Sequence, residues 1–185
     1  MSVKRIKKEE TILVVIDIQE RLIPVMAEKD EVIASVKKLA AGFEAIGSPI
    51  LVTQQYTKGL GETIEEVKSA FTNFSHIEKS AFSAMGDETF VKTLKDSGRK
   101  TVILCGIESH VCVLQSALDM LEAGYDVFVV VNAVSSRNLV DEENAIKRML
   151  FSGVITTTTE SVLFEMLDND SKSDTFKAIS KIVKL

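Results

Sequence analysis

The stretch Thr101–Val113 contains the residue types best suited to chemistry. An apolar run, residues 101–105, is followed by Gly106 and then by a segment of helical character that begins at Ser109. Gly106 lacks a Cβ and can turn the chain out of a buried strand, and the Ser109 hydroxyl can cap the helix. Cys112 would then lie in the first helical turn, where free N–H groups and the helix dipole favour the nucleophilic thiolate. The stretch predicts a reactive cysteine; the alternative is a small buried hydrophobic residue.

An acid and an amine follow two other apolar runs. Asp17 ends the run 11–16, and Lys79 lies in a short strand-like segment. Ligands of parallel sheets bind beyond the carboxyl ends of the strands, so the three groups should meet at one edge. We expect nucleophilic acyl transfer, in which Cys112 attacks a carbonyl, Asp17 moves the thiol proton to the leaving amine, and Lys79 holds both anions by charge. Backbone N–H groups at the start of the helix would receive the oxyanion.

A parallel sheet is needed to bring these groups together. Apolar, β-branched runs without alternation, as at residues 11–16, are typical of strands buried on both faces. Such runs alternate with amphipathic helices, which predicts an α/β fold with helices on both faces of an open, mostly parallel sheet. A polar turn is predicted at residues 132–138. The predicted strands are 11–17, 50–53, 76–80, 101–105, 126–131 and 154–157, and the predicted helices are 30–46, 87–94, 109–123, 142–151, 160–167 and 173–183.

Composition limits the class of protein. The 185 residues predict one domain, residues 1–185, with residues 1–10 as a charged surface tail. A net charge of −5 gives no reason to expect a nucleic-acid partner, and two cysteines form neither a disulfide framework nor a zinc site. No apolar stretch has the length of a signal peptide or a membrane span, so we expect a cytoplasmic protein without a membrane partner.

Several segments together resemble the isochorismatase-like cysteine hydrolase superfamily, and within it the isochorismatase domain-containing hydrolases. The likeness covers nearly the whole chain, and its specific part is the order of Asp17, Lys79 and the Gly106–Cys112 segment. The matching segments are Val15–Gln19, Val52–Gly61, Lys79–Ser83, Gly106–Val113, Ala133–Arg137 and Phe176–Ile179.

The resemblance implies a three-layer αβα fold with a Rossmann-like, six-stranded parallel sheet and a catalytic triad of Asp17, Lys79 and Cys112. It also implies a cis peptide bond between Ile107 and Glu108, with the Glu108 and Cys112 amides forming an oxyanion hole. Members of this superfamily are commonly homo-oligomers, so a dimer or tetramer is expected.

The segment after the second strand argues against a metal. Metal-dependent relatives such as nicotinamidases carry an acid and histidines there, whereas this chain has Gln55, Tyr56 and Thr57, which are poor ligands for zinc or iron. The resemblance therefore implies a metal-independent enzyme without a cofactor. Side chains in the matching loops are expected to line the substrate pocket: Gln19, Gln54, Tyr56, Phe82 and His110.

Other arrangements of the same residues fit less well. His110 and Cys112 would point to opposite sides of a helix, so they do not form a papain-like dyad. A phosphoacceptor receiver module needs an acid pair after its first strand, where Asp17 stands alone. Gly59–Gly61 lacks the third glycine of a dinucleotide-binding loop.

The expected function is a metal-independent cysteine hydrolase that acts on a small amide or a related small molecule. The alternative is a binding or scaffold protein that keeps the hydrolase fold without turnover. The substrate stays open among nicotinamide, carbamoylated amines, other small amides and isochorismate.

Overall fold

The computed structural model of the chain describes residues 3–168 and 172–184. Its centre is a six-stranded sheet in which every pair of neighbouring strands is parallel and the order is β3-β2-β1-β4-β5-β6. The predicted α/β class and parallel sheet are confirmed. The strands are β1 Thr11–Ile16, β2 Ile50–Gln55, β3 Ile77–Lys79, β4 Thr101–Ile107, β5 Asp126–Ser135 and β6 Ile155–Thr157.

Helices cover both faces of this sheet. Leu13 and Val15 of β1 pack into one apolar cluster with α1, α7 and α8, while Ile12 and Val14 pack into a second with α4, α5 and α6. Successive strand residues point to opposite faces, so a run that is apolar at every position serves both clusters. In the described part of the chain the helices are α1 Lys29–Ile46, α2 Thr57–Leu60, α3 Glu65–Lys68, α4 Glu88–Asp96, α5 Leu114–Glu122, α6 Leu139–Ser152, α7 Thr159–Glu165 and α8 Asp174–Val183.

Strand β5 is longer than the sequence predicted. It continues through the polar residues to Ser135, where a turn was expected from residue 132 onward. The Asn132 carboxamide accepts from the Thr159 backbone N–H at 3.0 Å and donates to the Ser35 hydroxyl at 3.2 Å. Because these partners satisfy the polar side chain inside the fold, the strand does not need to end there.

The N-terminal segment was predicted to be a surface tail over residues 1–10, of which residues 1–2 lie outside the described residues. Most of residues 3–10 are exposed, but Ile6 is only 2% exposed and belongs to the apolar cluster beside α1. The Ile6 backbone N–H donates to the Glu165 carboxylate at 3.1 Å. One apolar side chain in a charged segment thus anchors it to the body of the fold.

None of the helices in residues 3–168 and 172–184 combines the length and apolar character required to cross a lipid bilayer.

Candidate active site

A buried ion pair joins the carboxyl ends of β1 and β3. The Lys79 Nζ lies 2.6 Å from Asp17 Oδ2, and both side chains are fully buried. Three neutral oxygens complete the surroundings of the ammonium: Gln55 Oε1 at 2.7 Å and the carbonyls of Phe82 at 3.1 Å and Ala81 at 3.2 Å. An ammonium without these contacts would be costly to bury, and here it meets oxygen on several sides.

The second oxygen of Asp17 is also occupied. The Thr53 hydroxyl donates to Asp17 Oδ1 at 2.7 Å, and the Asp17 backbone N–H donates to the Thr53 carbonyl at 3.2 Å. Asp17 adopts a left-handed conformation with φ of 51° immediately after β1. The carboxylate is therefore fixed from two sides, by a hydroxyl of β2 and by the ammonium of β3.

The cysteine is carried by an irregular segment after β4. Gly106 has a φ of 117°, and a Cβ there would overlap the backbone of Ile16 on the neighbouring strand, so this close approach requires glycine. The strand continues past Gly106 to Ile107, beyond the predicted end at residue 105, with a shift in its pairing to β5. The peptide bond between Ile107 and Glu108 is cis.

A π-helical turn, Ser109–Val113, stands where a regular helix was predicted. Ser109 is its first residue and is fully buried, and its hydroxyl has no hydrogen-bond partner among the described residues. The prediction that Ser109 caps the helix is therefore wrong, because Glu108 occupies the capping position. Cys112, in the same turn, is 8% exposed.

The thiol of Cys112 interacts with both members of the ion pair. The pKa of the Cys112 thiol is raised to about 12, chiefly by burial; the negative charge of Asp17 also raises it, and the positive charge of Lys79 lowers it. The sequence predicted the opposite, a thiolate favoured by the start of the helix. Removal from water favours the neutral form of this thiol.

Two residues predicted to bind substrate make hydrogen bonds within the fold. The Gln19 carboxamide donates to the Gln55 carbonyl at 2.9 Å and to the Gly61 carbonyl at 2.7 Å, and accepts from the Gln55 N–H at 2.7 Å. Gln54 bonds to the hydroxyls of Thr63 and Thr57, each at 2.9 Å. Both glutamines are fully buried, and their hydrogen bonds shape the loop after β2. Contact between either of them and a substrate stays a prediction.

The other three predicted substrate residues lie nearer to solvent. Tyr56 is 56% exposed and Phe82 is 58% exposed, and they follow β2 and β3 at the edge of the sheet that carries Lys79. The Tyr56 ring lies over Gly59, where any Cβ would overlap it. His110 is half-buried, with its Nδ1 2.8 Å from the Ser136 hydroxyl. Contact between these three residues and a substrate stays a prediction.

The predicted oxyanion amides belong to the same irregular segment. Glu108 directly precedes the π-helical turn, and its carbonyl accepts from the N–H groups of Val111 at 3.1 Å and Val113 at 3.2 Å. Its carboxylate pairs with Arg137 Nε at 2.9 Å at the surface. The assignment of the Glu108 and Cys112 N–H groups to an oxyanion hole remains a prediction.

Thr53 and Gln55 were not predicted as site residues, although both contact the ion pair. Gln55 follows the predicted strand 50–53 and replaces a metal ligand of the metal-dependent relatives, and Thr53 is the last residue of that predicted strand. Their spacing of two was a usable signal, because residues i and i+2 of a strand lie on one face of the sheet.

Metal-ligating side chains and cavities are the other features that could mark a site. Within residues 3–168 and 172–184, no group of three or more histidine, cysteine, aspartate or glutamate side chains is arranged to hold a metal ion. A cavity of about 640 Å³ lies before the amino end of β1, between residues 5–9 and 165–168. Neither the ion pair nor Cys112 lines this cavity, so the candidate site is placed by the ion pair and the thiol.

Comparison with known proteins gives consistent matches. The isochorismatase domain family matches residues 11–161. Isochorismatase domain-containing protein 1 of Salmo salar is 34% identical over 174 residues, which cover 94% of this chain and 61% of that protein. This chain thus spans less than two thirds of that relative's length.

Solved structures resemble the whole fold. MAR1 ribonuclease from Caenorhabditis elegans has a TM-score of 0.91 at 37% identity, covering 98% of this chain and 93% of that chain. YcaC from Pseudomonas aeruginosa, with hexane-2,5-diol and covalent acrylamide, has a TM-score of 0.91 at 29% identity, covering 99% and 92%. YcaC from Escherichia coli, described as an octameric hydrolase of unknown specificity, has a TM-score of 0.88 at 26% identity, covering 98% and 90%. The chain therefore belongs to the isochorismatase domain family.

Proposed function

We propose that this chain is a metal-independent hydrolase that cleaves a small amide through a thioester on Cys112, with residues 1–185 acting as one domain. The observation that carries the proposal is the interaction of a buried thiol with a buried carboxylate–ammonium pair. A thiol with a pKa of about 12 is a weak nucleophile by itself and needs a base as it attacks. Asp17 is the base within reach.

The first half of the reaction forms the thioester. The Cys112 Sγ bonds to the amide carbon while its proton moves to Asp17, and the carbonyl oxygen becomes an oxyanion held by the Glu108 and Cys112 N–H groups. The carbon–nitrogen bond then breaks as Asp17 returns the proton to the departing amine. Lys79 keeps its positive charge throughout and offsets the negative charge that develops beside it.

Water completes the cycle. Asp17 takes a proton from a water molecule while the oxygen of that water attacks the thioester carbon, and a second tetrahedral oxyanion forms. Collapse of that intermediate breaks the carbon–sulfur bond, and the proton returns to the sulfur. The products are a carboxylic acid and an amine, and the thiol, the carboxylate and the ammonium are restored.

The relatives support parts of this proposal. The YcaC protein of Pseudomonas aeruginosa carries covalent acrylamide, so that protein has a group that bonds to a small molecule bearing an amide. The YcaC protein of Escherichia coli is an octamer, and we propose that this chain is likewise a homo-oligomer. A cytoplasmic location and the predicted choice of dimer or tetramer stay predictions from the sequence.

A ribonuclease is the second candidate, because the similar structure from Caenorhabditis elegans carries that name. The net charge of −5 disfavours it, since binding to a phosphate backbone normally relies on a basic surface. A scaffold protein without turnover has no support from the comparisons.

Turnover by the purified protein tests the proposal. We expect hydrolysis of at least one member of a panel of small amides and no cleavage of a single-stranded RNA under the same conditions, followed by mass spectrometry and gel electrophoresis. Cys112→Ala and Asp17→Asn should lose activity by about 10³-fold or more, because nucleophile and base act as a unit.

Cys105→Ala is the matched control, because Cys105 is the other buried thiol and lies within β4. It should keep the wild-type kcat. Turnover that survives in Cys112→Ala would falsify the covalent mechanism. Cleavage of the RNA by the wild type, without hydrolysis of any amide, would favour the second candidate.

A further inference from the structure

Strand β2 lies between the two strands that carry the ion pair. It pairs with β1, which leads into Asp17, on one side, and with β3, which contains Lys79, on the other. Thr53 and Gln55 are two residues apart on β2, so their side chains share one face of the sheet. The Thr53 side chain contacts the carboxylate of Asp17, and the Gln55 side chain contacts the ammonium of Lys79.

Each of these side chains makes one short bond to a charged group. Thr53 Oγ1 lies 2.7 Å from Asp17 Oδ1, and Gln55 Oε1 lies 2.7 Å from Lys79 Nζ. The Thr53 hydroxyl is fully buried, so no water competes for the carboxylate oxygen on that side. Hydrogen bonds to ions in such surroundings are shorter and stronger than neutral ones.

The Gln55 side chain is itself held in place. Its Nε2 donates to the Ser80 carbonyl at 2.7 Å, which directs Oε1 towards the ammonium. Its backbone N–H and carbonyl are both bonded to the buried Gln19 carboxamide, at 2.7 Å and 2.9 Å. Gln19 therefore fixes the backbone of Gln55, and Gln55 fixes Lys79.

We propose that Thr53 and Gln55 are positioning residues, which hold the carboxylate of Asp17 and the ammonium of Lys79, respectively, against the thiol of Cys112. The inference rests on the proposed function for its effect on turnover. The effect of the two residues on the reactivity of the thiol is measured without a substrate, so that measurement does not depend on the proposed function.

The titratable groups that face one another here are Asp17 from the end of β1, Lys79 from β3 and Cys112 from the π-helical turn. Asp17 raises the pKa of the thiol and Lys79 lowers it. A variant that releases the carboxylate should therefore increase the thiolate fraction at a fixed pH, and one that releases the ammonium should decrease it. The two proposed residues thus act in opposite directions.

Iodoacetamide alkylation at pH 8, with the Cys112 peptide followed by mass spectrometry, tests this. Thr53→Val removes the hydroxyl with little change in shape and should speed alkylation several-fold, towards the rate of Asp17→Asn. Gln55→Leu removes the acceptor and should slow alkylation several-fold, towards the rate of Lys79→Met. Thr53→Ser keeps the hydroxyl and should restore the wild-type rate.

Thr11→Val is the matched control for general damage. Thr11 is also buried on a central strand and its hydroxyl also makes one 2.7 Å hydrogen bond, to the Lys7 carbonyl at the opposite end of β1. Its alkylation rate should equal that of the wild type even where its melting temperature falls as far as that of Thr53→Val. Alkylation that speeds up in both Thr53→Val and Gln55→Leu would indicate a loosened site and overturn the proposal.

Turnover provides the second arm. On a substrate found for the wild type, Thr53→Val and Gln55→Leu should each lower kcat about tenfold with KM unchanged, the rate equivalent of one hydrogen bond to a charged group. Thr53→Ser should recover most of the kcat. If no amide is hydrolysed by the wild type, the proposed function fails, while opposite alkylation shifts would still support the positioning roles.

Discussion

The two halves of the candidate site are built by different means. The charge-pair half, residues 17, 53, 55 and 79, uses polar side chains at the ends of regular strands, and hydrogen bonds fix each group. The cysteine half, residues 106–113, uses unusual backbone: a glycine at φ 117° and a π-helical turn. The first half should therefore tolerate changes of shape better than changes of charge, and the second should respond in the reverse way.

Gly106→Ala should give the largest effect on stability. A methyl group there would overlap the backbone of Ile16, which is not free to move because it is paired within the sheet. We expect a loss of more than about 4 kcal/mol in the free energy of unfolding, or no folded protein, measured by denaturant titration.

Gly124→Ala is the control for this change. Gly124 also has a positive φ, 90°, but a methyl group added there would meet no other atom within 4 Å. Its cost should be about 1–2 kcal/mol, from the left-handed conformation alone. Equal losses in the two variants would show that the contact with Ile16 is not what requires glycine at position 106.

Lys79→Met should give the next largest effect, by leaving the carboxylate of Asp17 buried without its partner. Removal of one member of a buried pair costs about 3–5 kcal/mol, which thermal or urea unfolding would register. The double variant Asp17→Asn, Lys79→Met removes both charges and should regain most of that stability while staying inactive. If the double variant is no more stable than Lys79→Met, packing of the lysine chain outweighs its charge.

Alkaline pH should give the smallest effect on the free energy of unfolding. The test compares Cys105, in the regular strand β4, with Cys112, in the irregular segment. Burial raises the pKa of the thiols of Cys105 and Cys112 above the unfolded value of about 8.5. The stability that each contributes is complete below that pH and is lost as the pH rises towards the folded pKa, about 12 for Cys112. Between about pH 9 and 10.5, Cys105→Ala and Cys112→Ala should each reduce the slope of stability against pH by about 1.4 kcal/mol per unit.

The measurement is the free energy of unfolding at several pH values for the wild type and the two variants. A slope that falls in Cys105→Ala and not in Cys112→Ala would mean that Cys112 is already ionised near pH 9, as its place near the start of a helix would favour.

The sheet was predictable from the sequence because its signal is local. Residues 12–16 and 102–105 are apolar at every position, and that pattern fits strands buried on both faces. The end of β5 was missed because Asn132 finds partners on α1 and α7, which are distant in sequence. A polar residue is a sound indicator of a turn only where no such partners exist.

The site was predictable in its main members and not in its supporting contacts. Asp17, Lys79 and Cys112 stand out as reactive types at or beyond strand ends; the structure pairs Asp17 with Lys79, and both affect the pKa of the Cys112 thiol. Their catalytic roles stay a prediction. The burial of Gln19 depends on hydrogen bonds to backbone groups more than 30 residues away, which no spacing rule reveals. The raised pKa of Cys112 likewise depends on burial, whereas the sequence offered only its place near a helix start.

The surroundings of Lys79 set a limit on what that residue can do for a substrate. An ammonium has three protons to donate, and four oxygens already lie within 3.2 Å of this one. An incoming molecule therefore finds no spare donor and has to displace an existing acceptor, and the carbonyls of Ala81 and Phe82 are the two most distant. A hydrogen bond from the lysine to a ligand would thus be coupled to movement of residues 81–82. Binding at the site would therefore change the conformation of that short loop.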